Sequence, residues 1–316
     1  MEAETRYHPN AEQLALASTI EESLATLLPL SRLHTSNSED SATWSGLDEI
    51  GVFGICAGEE QGGSGLGAAE EALIVMSLGR HLAAPSVLAT IGATHSGRAL
   101  AGKRVAAGYR RDDRIIILED TLADLMLLRE GEGATLYELG SRPSQLVDDR
   151  LWLASLRETS GLGEPLARLE APKILRLRLI DAAALAGMSQ AALDMGVAYA
   201  GIRSQFGRPI GSFQAVKHHC ANMAIAARCA RDQTGFAAVA LDEDRPDAAL
   251  QVECALLVAG SAALDNCGLN IQIHGGIGFS DEADPHLVLK RARLQIALAG
   301  GLEAASERIA NTQAGW

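Results

Sequence analysis

Aromatic residues are scarce: they make up 4% of the 316-residue chain, against 47% hydrophobic residues overall. Alanine and leucine carry that excess, which predicts helices packed through small side chains. Positive charge is also in deficit, with 27 Lys and Arg facing 40 Asp and Glu for a formal net charge of -13. That excludes a nucleic-acid surface or an anionic membrane surface, since both need clustered Lys and Arg. A local basic pocket for a small phosphorylated ligand stays compatible with it. The cysteines Cys56, Cys220, Cys229, Cys254 and Cys267 form no CxxC pair, so neither a zinc site nor a disulfide framework is indicated. The opening MEAETRYHPNAEQ lacks the basic and apolar regions of a signal peptide. No apolar run reaches about 18 residues, because Arg80 and His81 interrupt the best one. The expectation is a soluble, cytoplasmic protein without metal, membrane or nucleic-acid partner.

What is present falls into three textures. Leu14, Ile20, Leu24 and Leu28 recur at helical spacing, and Asp40 or Ser41 can open a second helix ending near Ile50. The glycine-rich loop GVFGICAGEEQGGSGLG, 51–67, carries two acids and no lysine. It is neither a P-loop nor a dinucleotide fingerprint. Helices follow over 68–81 and 86–101. From about Val105 to Pro165 short runs bounded by Gly, Asp and Pro read as four or so strands: Arg114–Leu118, Leu125–Leu128, Ala134–Leu139 and Arg150–Leu156. Four long helices then run to the end, Ile174–Arg203, Ser212–Leu241, Asp247–Leu269 and 284 or 285 to Asn311, the requirement of an antiparallel bundle. The division is an N-terminal helical domain (1–103), a reduced β domain (104–168) and a four-helix bundle (169–316), mainly α with a small β insert.

Two stretches carry chemistry. The first runs from Leu179 to Lys217, a long helix followed by Arg203, Phe206, Gly207 and Pro209; Ser212 is the expected N-cap of the next helix. A guanidinium, a ring and a glycine at a helix end suit a phosphate-bearing ligand; an Arg–acid pair with a core Phe is the plainer alternative. The second, NIQIHGGIGFSDE (270–282), puts Gln272 one turn before the bare backbone of Gly275 and Gly276. A simple helix cap would also use that glycine pair.

Together the two resemble the acyl-CoA dehydrogenase family: RxxFGxPIxxFQ (Arg203, Phe206, Gly207, Pro209, Ile210, Phe213, Gln214), then QxxGGxGF with a following acid (Gln272, Gly275, Gly276, Gly278, Phe279, Glu282). The loop at 51–67 resembles the family's loop between early helices, with Ala57 where proline is common. The resemblance implies FAD, an acyl-CoA substrate and an electron-transfer acceptor. In that chemistry a carboxylate removes the α proton and the flavin takes the β hydride. It implies that Arg203 binds the FAD pyrophosphate, with Phe206 and Gln214 beside it. Gln272, Gly275 and Gly276 would meet the adenosine side, all in a neighbouring subunit's flavin site. It also implies that Arg178 stands at the family's active-site arginine.

The departures are specific. Ala299 stands where the family's base Glu sits in a YEGT-like stretch, and Leu177 stands at the alternative base position before the arginine. Nothing between Val105 and Pro165 resembles the TExxxGSD-like stretch that holds the flavin ring, and a sheet that small would not cover the ring. Glu303 and Glu307 read as solvated helix charges. The expectation is the shortened subunit of an α2β2 acyl-CoA dehydrogenase, similar to those acting on steroid side-chain thioesters, with a full-length homologous partner supplying ring pocket and Glu. The rivals are a homo-oligomer using Asp281, Glu282 or Glu303 as base, a structural subunit, and a flavin monooxygenase on the same fold.

Overall fold

In the computed structural model of the protein, residues 7–36, 38–100, 102–140, 145–148, 154–158 and 162–312 are described. Residues 1–6 of the opening segment and 150–153 of the fourth expected strand lie outside them.

The N-terminal helices begin where side chains satisfy their free N–H groups. α1 (Ala11–Leu27) opens with a reciprocal box: Asn10 accepts from the Gln13 N–H and Gln13 accepts from the Asn10 N–H, each at 2.9 Å. Asp40 caps α2 (Ser41–Glu49), accepting from Thr43 N–H at 2.8 Å. α3 (Ala68–Arg80) is capped from afar, its Ala68 and Ala69 N–H groups donating to Asp242 at 2.7 and 2.9 Å. α4 (Pro85–Thr94) starts on proline and is buried throughout. It stops at Thr94 rather than near 101, because the chain turns off through Gly97 at φ +81°.

The sheet is larger than the four strands expected. Seven strands run in the order β5-β6-β2-β1-β3-β4-β7: β1 Val105–Arg111, β2 Arg114–Leu118, β3 Leu125–Glu130, β4 Gly133–Glu138, β5 Gln145–Asp148, β6 Ala154–Glu158 and β7 Ala167–Leu169. Only β1 and β3 pair in parallel among the described strands. One face (Val105, Ala107, Leu118, Leu125, Leu127, Leu136) joins the main core. The other (Ala106, Ile115, Ile117, Met126, Leu128) builds a separate small one, as alternation along strands requires.

The remainder is mainly helical: α5 (Lys173–Ile202), α6 (Gln214–Asp242), α7 (Ala248–His274), α8 (Pro285–Leu298) and α9 (Leu302–Asn311). Two expectations are corrected here. The last helix is broken in two at Gly300 and Gly301, whose φ values of +89° and +90° no helix allows. Ser212 does not cap α6; it lies in a 3₁₀ turn (Ile210–Ser212), and Phe213 precedes α6 without a side-chain cap. α7 and the turn after it are apolar enough to cross a membrane by length and composition, yet α7 packs against α5, α6, α8 and α9.

Small residues explain how so few aromatics suffice. A Cβ on Gly79 of α3 would collide with the Ala184 carbonyl of α5, and one on Gly187 of α5 with the Met76 carbonyl of α3. These helices therefore meet backbone to backbone.

Candidate functional site

α5 ends because Arg203 turns extended (φ -70°, ψ 121°), its N–H still donating to the Tyr199 carbonyl. The chain then makes a miniature hairpin, β8 (Ser204–Gln205) against β9 (Arg208–Pro209). Its two turn residues, Phe206 and Gly207, both have positive φ, +53° and +79°, as a two-residue hairpin turn demands. Glycine adopts this freely; a bulky aromatic does so only under strain. The Phe206 ring is 92% exposed at the tip. It meets Phe213 edge-on at 6.1 Å, and Arg208 covers the other ring at 4.2 Å. The Ile210 N–H closes the loop onto the Arg203 carbonyl at 2.8 Å.

The second stretch reaches the same end of the bundle. His274 stacks on Tyr199, the last turn of α7 against the last turn of α5, with centroids 4.0 Å apart. Ala200, Met223 and Ile273 form a small core beneath. Beyond it Gly275 takes φ +66°, and a 3₁₀ turn (Gly275–Phe279) carries Ile277 and Phe279 into solvent. All six expected cofactor residues, Arg203, Phe206, Gln214, Gln272, Gly275 and Gly276, are exposed. The side chains of Arg203, Gln214 and Gln272 make no hydrogen bond or ion pair among the described residues. The plainer alternative for the first stretch, an Arg paired with an acid and a Phe in the core, does not hold.

At the other end of α5 the arrangement is the reverse. Arg178 is buried; its Nη1 donates to Glu253 of α7 at 2.7 Å, and its Nη2 donates to Glu132 in the β3–β4 turn. Arg308 of α9 lies against the same two acids, 2.9 Å from Glu253 and 3.6 Å from Glu132. The Arg308–Glu253 contact is ionic, without the alignment of a hydrogen bond. Burial alone would raise the Glu132 carboxyl; the bonds and charges of Arg178 and then Arg308 overcome it and hold the group below its ordinary range. One turn along, Asp181 is fully buried. Burial pushes its carboxyl up against the opposing effect of Arg129, which donates to it, and of Gln295, which donates at 2.7 Å.

The two positions lacking a base are also placed. Leu177 is completely buried, its methyl filling the space beside Gly92 of α4. Ala299 ends α8, half-buried against the main core. Asp281, Glu282, Glu303 and Glu307 are exposed. Glu132, Glu253 and Arg308 escaped the sequence reading; the one available signal was a lone acid inside the apolar VECALLV run of α7.

Two family models match, the acyl-CoA dehydrogenase N-terminal domain over residues 10–101 and the C-terminal domain over 173–313. Acyl-CoA dehydrogenase FadE34 of Mycobacterium tuberculosis is 32% identical over 86% of this chain, which spans 42% of that protein's length. Acyl-CoA dehydrogenase IpdE2 of Mycolicibacterium smegmatis is 30% identical, over 80% of this chain and 81% of its own. Among solved structures, the ChsE4-ChsE5 complex from Mycobacterium tuberculosis superimposes with a TM-score of 0.79 at 20% identity, covering 98% of this chain and all of the matched one. With both flanking domains matched and a relative aligned along most of both lengths, the chain belongs to the acyl-CoA dehydrogenase family.

Proposed function

We propose that this chain is the shortened subunit of a heteromeric acyl-CoA dehydrogenase, forming an α2β2 assembly with a full-length homologue. The observation that carries it is an asymmetry between the C-terminal end of α5 and the two base positions. One end offers six exposed residues to an outside ligand, while the two places for a catalytic carboxylate hold a methyl and an isobutyl group, at Ala299 and Leu177. Two comparisons support the reading. The similar fold of ChsE4-ChsE5 occurs in a complex, and FadE34 is long enough to hold a second unit of this size.

The residues present fit FAD on the phosphate and adenosine side. Arg203 offers an uncommitted guanidinium fork, which matches phosphate oxygens in pairs. Phe206 holds a strained conformation with its ring exposed, touching Phe213 only edge-on. Gly275 and Gly276 leave backbone bare, with open space where a Cβ would stand. Arg203 would hold the pyrophosphate, Phe206 and Gln214 would lie along the cofactor, and Gln272 with the two glycines would meet the adenosine. When bound, FAD supplies the acceptor for the β hydride. The α proton goes to a Glu of the partner, because no residue at this chain's two base positions can take it. An acyl-CoA, by analogy a steroid side-chain thioester, is the substrate, and an electron-transfer acceptor reoxidises the assembly.

Co-expression with a full-length homologue should give a yellow complex that desaturates acyl-CoA. A yellow and active homomer of this chain alone would overturn the proposal.

A further inference from the structure

Beside the start of β1 lies a cleft of about 810 Å³ that no residue of α5 lines. Six of its lining residues carry hydroxyls: Thr35, Ser36, Ser38, Ser41, Thr43 and Ser45, from α2 and the segment before it. Arg104, the residue before β1, lines it too and is only 8% exposed. Its guanidinium lies over the Trp44 ring at 4.1 Å, and Trp44 stacks in turn on Phe53. No acceptor bonds any of its three nitrogens among the described residues, and Nη1 is sealed from solvent. A buried donor in that state is costly unless something binds it. Burial draws the Arg104 pKa down, and the charges of Glu119, Glu39, Asp124 and Asp40 oppose it. Each of those acids is bonded elsewhere. Glu119 accepts from the Ser86 N–H, Glu39 from Arg32 and the Ala84 N–H, Asp124 from the Arg104 N–H, and Asp40 caps α2. What the cleft lacks is therefore an acceptor for Arg104.

We infer that this cleft binds a small hydroxylated monocarboxylate, with its carboxylate on Arg104 and its hydroxyls along the 35–45 segment. A carboxylate meets the edge of a guanidinium in paired bonds while the face stays on the indole. A single charge is what the site tolerates. Glu39, Asp40 and Asp124 also line the cleft, so a doubly charged phosphate would be repelled. The hydroxyl lining selects a polar guest, since Trp44 and Leu122 are the only apolar side chains among the described lining residues. The volume lies within the range of small-molecule sites, roughly 300–1,000 Å³.

The test reads the Trp44 indole N–H resonance in the nitrogen-labelled full chain, one of three tryptophan signals, assigned with Trp44→Phe. Sodium gluconate should shift it saturably, whereas sodium chloride at equal ionic strength should not. In Arg104→Gln the apparent affinity for gluconate should fall about tenfold, the worth of a charge-assisted bond. Sodium hexanoate and inorganic phosphate should each bind more weakly than gluconate. No saturable gluconate shift, or one unchanged in Arg104→Gln, overturns the site. Hexanoate binding as tightly as gluconate overturns the hydroxylated guest, and phosphate binding as tightly overturns the single charge. The gluconate and chloride arms use wild type alone, so they decide the inference even where Arg104→Gln does not fold.

Discussion

Arg178 and Arg203 sit at opposite ends of the same helix and meet opposite fates. The first is buried and bound to two carboxylates; the second is exposed and pairs with nothing among the described residues. Both stand at positions where the family resemblance implies a function, so sequence position alone does not separate them. Their surroundings do. A guanidinium bound to two carboxylates inside the fold holds the fold together, whereas one left open at a helix end is available to a ligand from outside. On the proposed function, one end of α5 serves stability and the other serves binding.

The sharpest way to break it is to remove one acid from the closed end. Glu253→Ala leaves Arg178 and Arg308 buried with half their compensation gone, which should cost about 3–5 kcal/mol. Arg203→Ala, an exposed change, should stay within about 0.5 kcal/mol. Urea denaturation of the two variants checks this directly, and comparable losses from both would erase the distinction. The order reverses when the readout is flavin. In the yellow complex Arg203→Ala should weaken FAD retention roughly 10- to 100-fold, the worth of a charge-assisted pair of bonds to phosphate.

The open end was legible because its residues are neighbours in sequence. Arg203, Phe206 and Gly207 lie within one turn of chain, and Gln272, Gly275 and Gly276 within another, so local spacing displayed them. Helix periodicity also placed α1, α2, α3, α5, α6 and α7 to within a few residues. The closed end was not legible, since Glu132, Arg178, Glu253 and Arg308 come together only through the tertiary fold. The extra strands were missed for a local reason. β1 reads VAAGYRR, with a single β-branched residue, and β5 and β7 are only 4 and 3 residues long. They become strands through pairing with neighbours, not through propensity. Gly300 and Gly301 were visible as letters. Their place in the stretch that resembles a family motif hides a break that paired glycines otherwise punctuate strongly.

A smaller effect sharpens the open end. Phe206 holds a left-handed conformation that disfavours a bulky side chain, so Phe206→Asn should stabilise the free chain by about 1 kcal/mol. The same change should reduce flavin retention in the complex. A variant that gains stability and loses ligand would show that the strain at this turn is kept for binding. If the variant is less stable, the aromatic contact with Phe213 outweighs the backbone cost.

The smallest effect lies in the pH dependence of the Glu132 ion pairs. Glu132 is held below its ordinary pKa of 4.5, with burial opposing and Arg178 and Arg308 prevailing. A group depressed in this way contributes its stability above the unfolded value and loses it as pH falls through the folded one. The arginines keep their charge throughout this range. Glu132 is mostly exposed, so solvent screening limits the contribution to about 0.2–1 kcal/mol. The difference in thermal midpoint between wild type and Glu132→Gln should thus be constant from about pH 7 down to about pH 5, then shrink and vanish below the carboxylate range. A difference that grew on acidification would mean that Glu132 is worth more protonated than charged. The ion pairs of Glu132 would then add nothing, and the closed end would rest on Arg178–Glu253 and apolar packing.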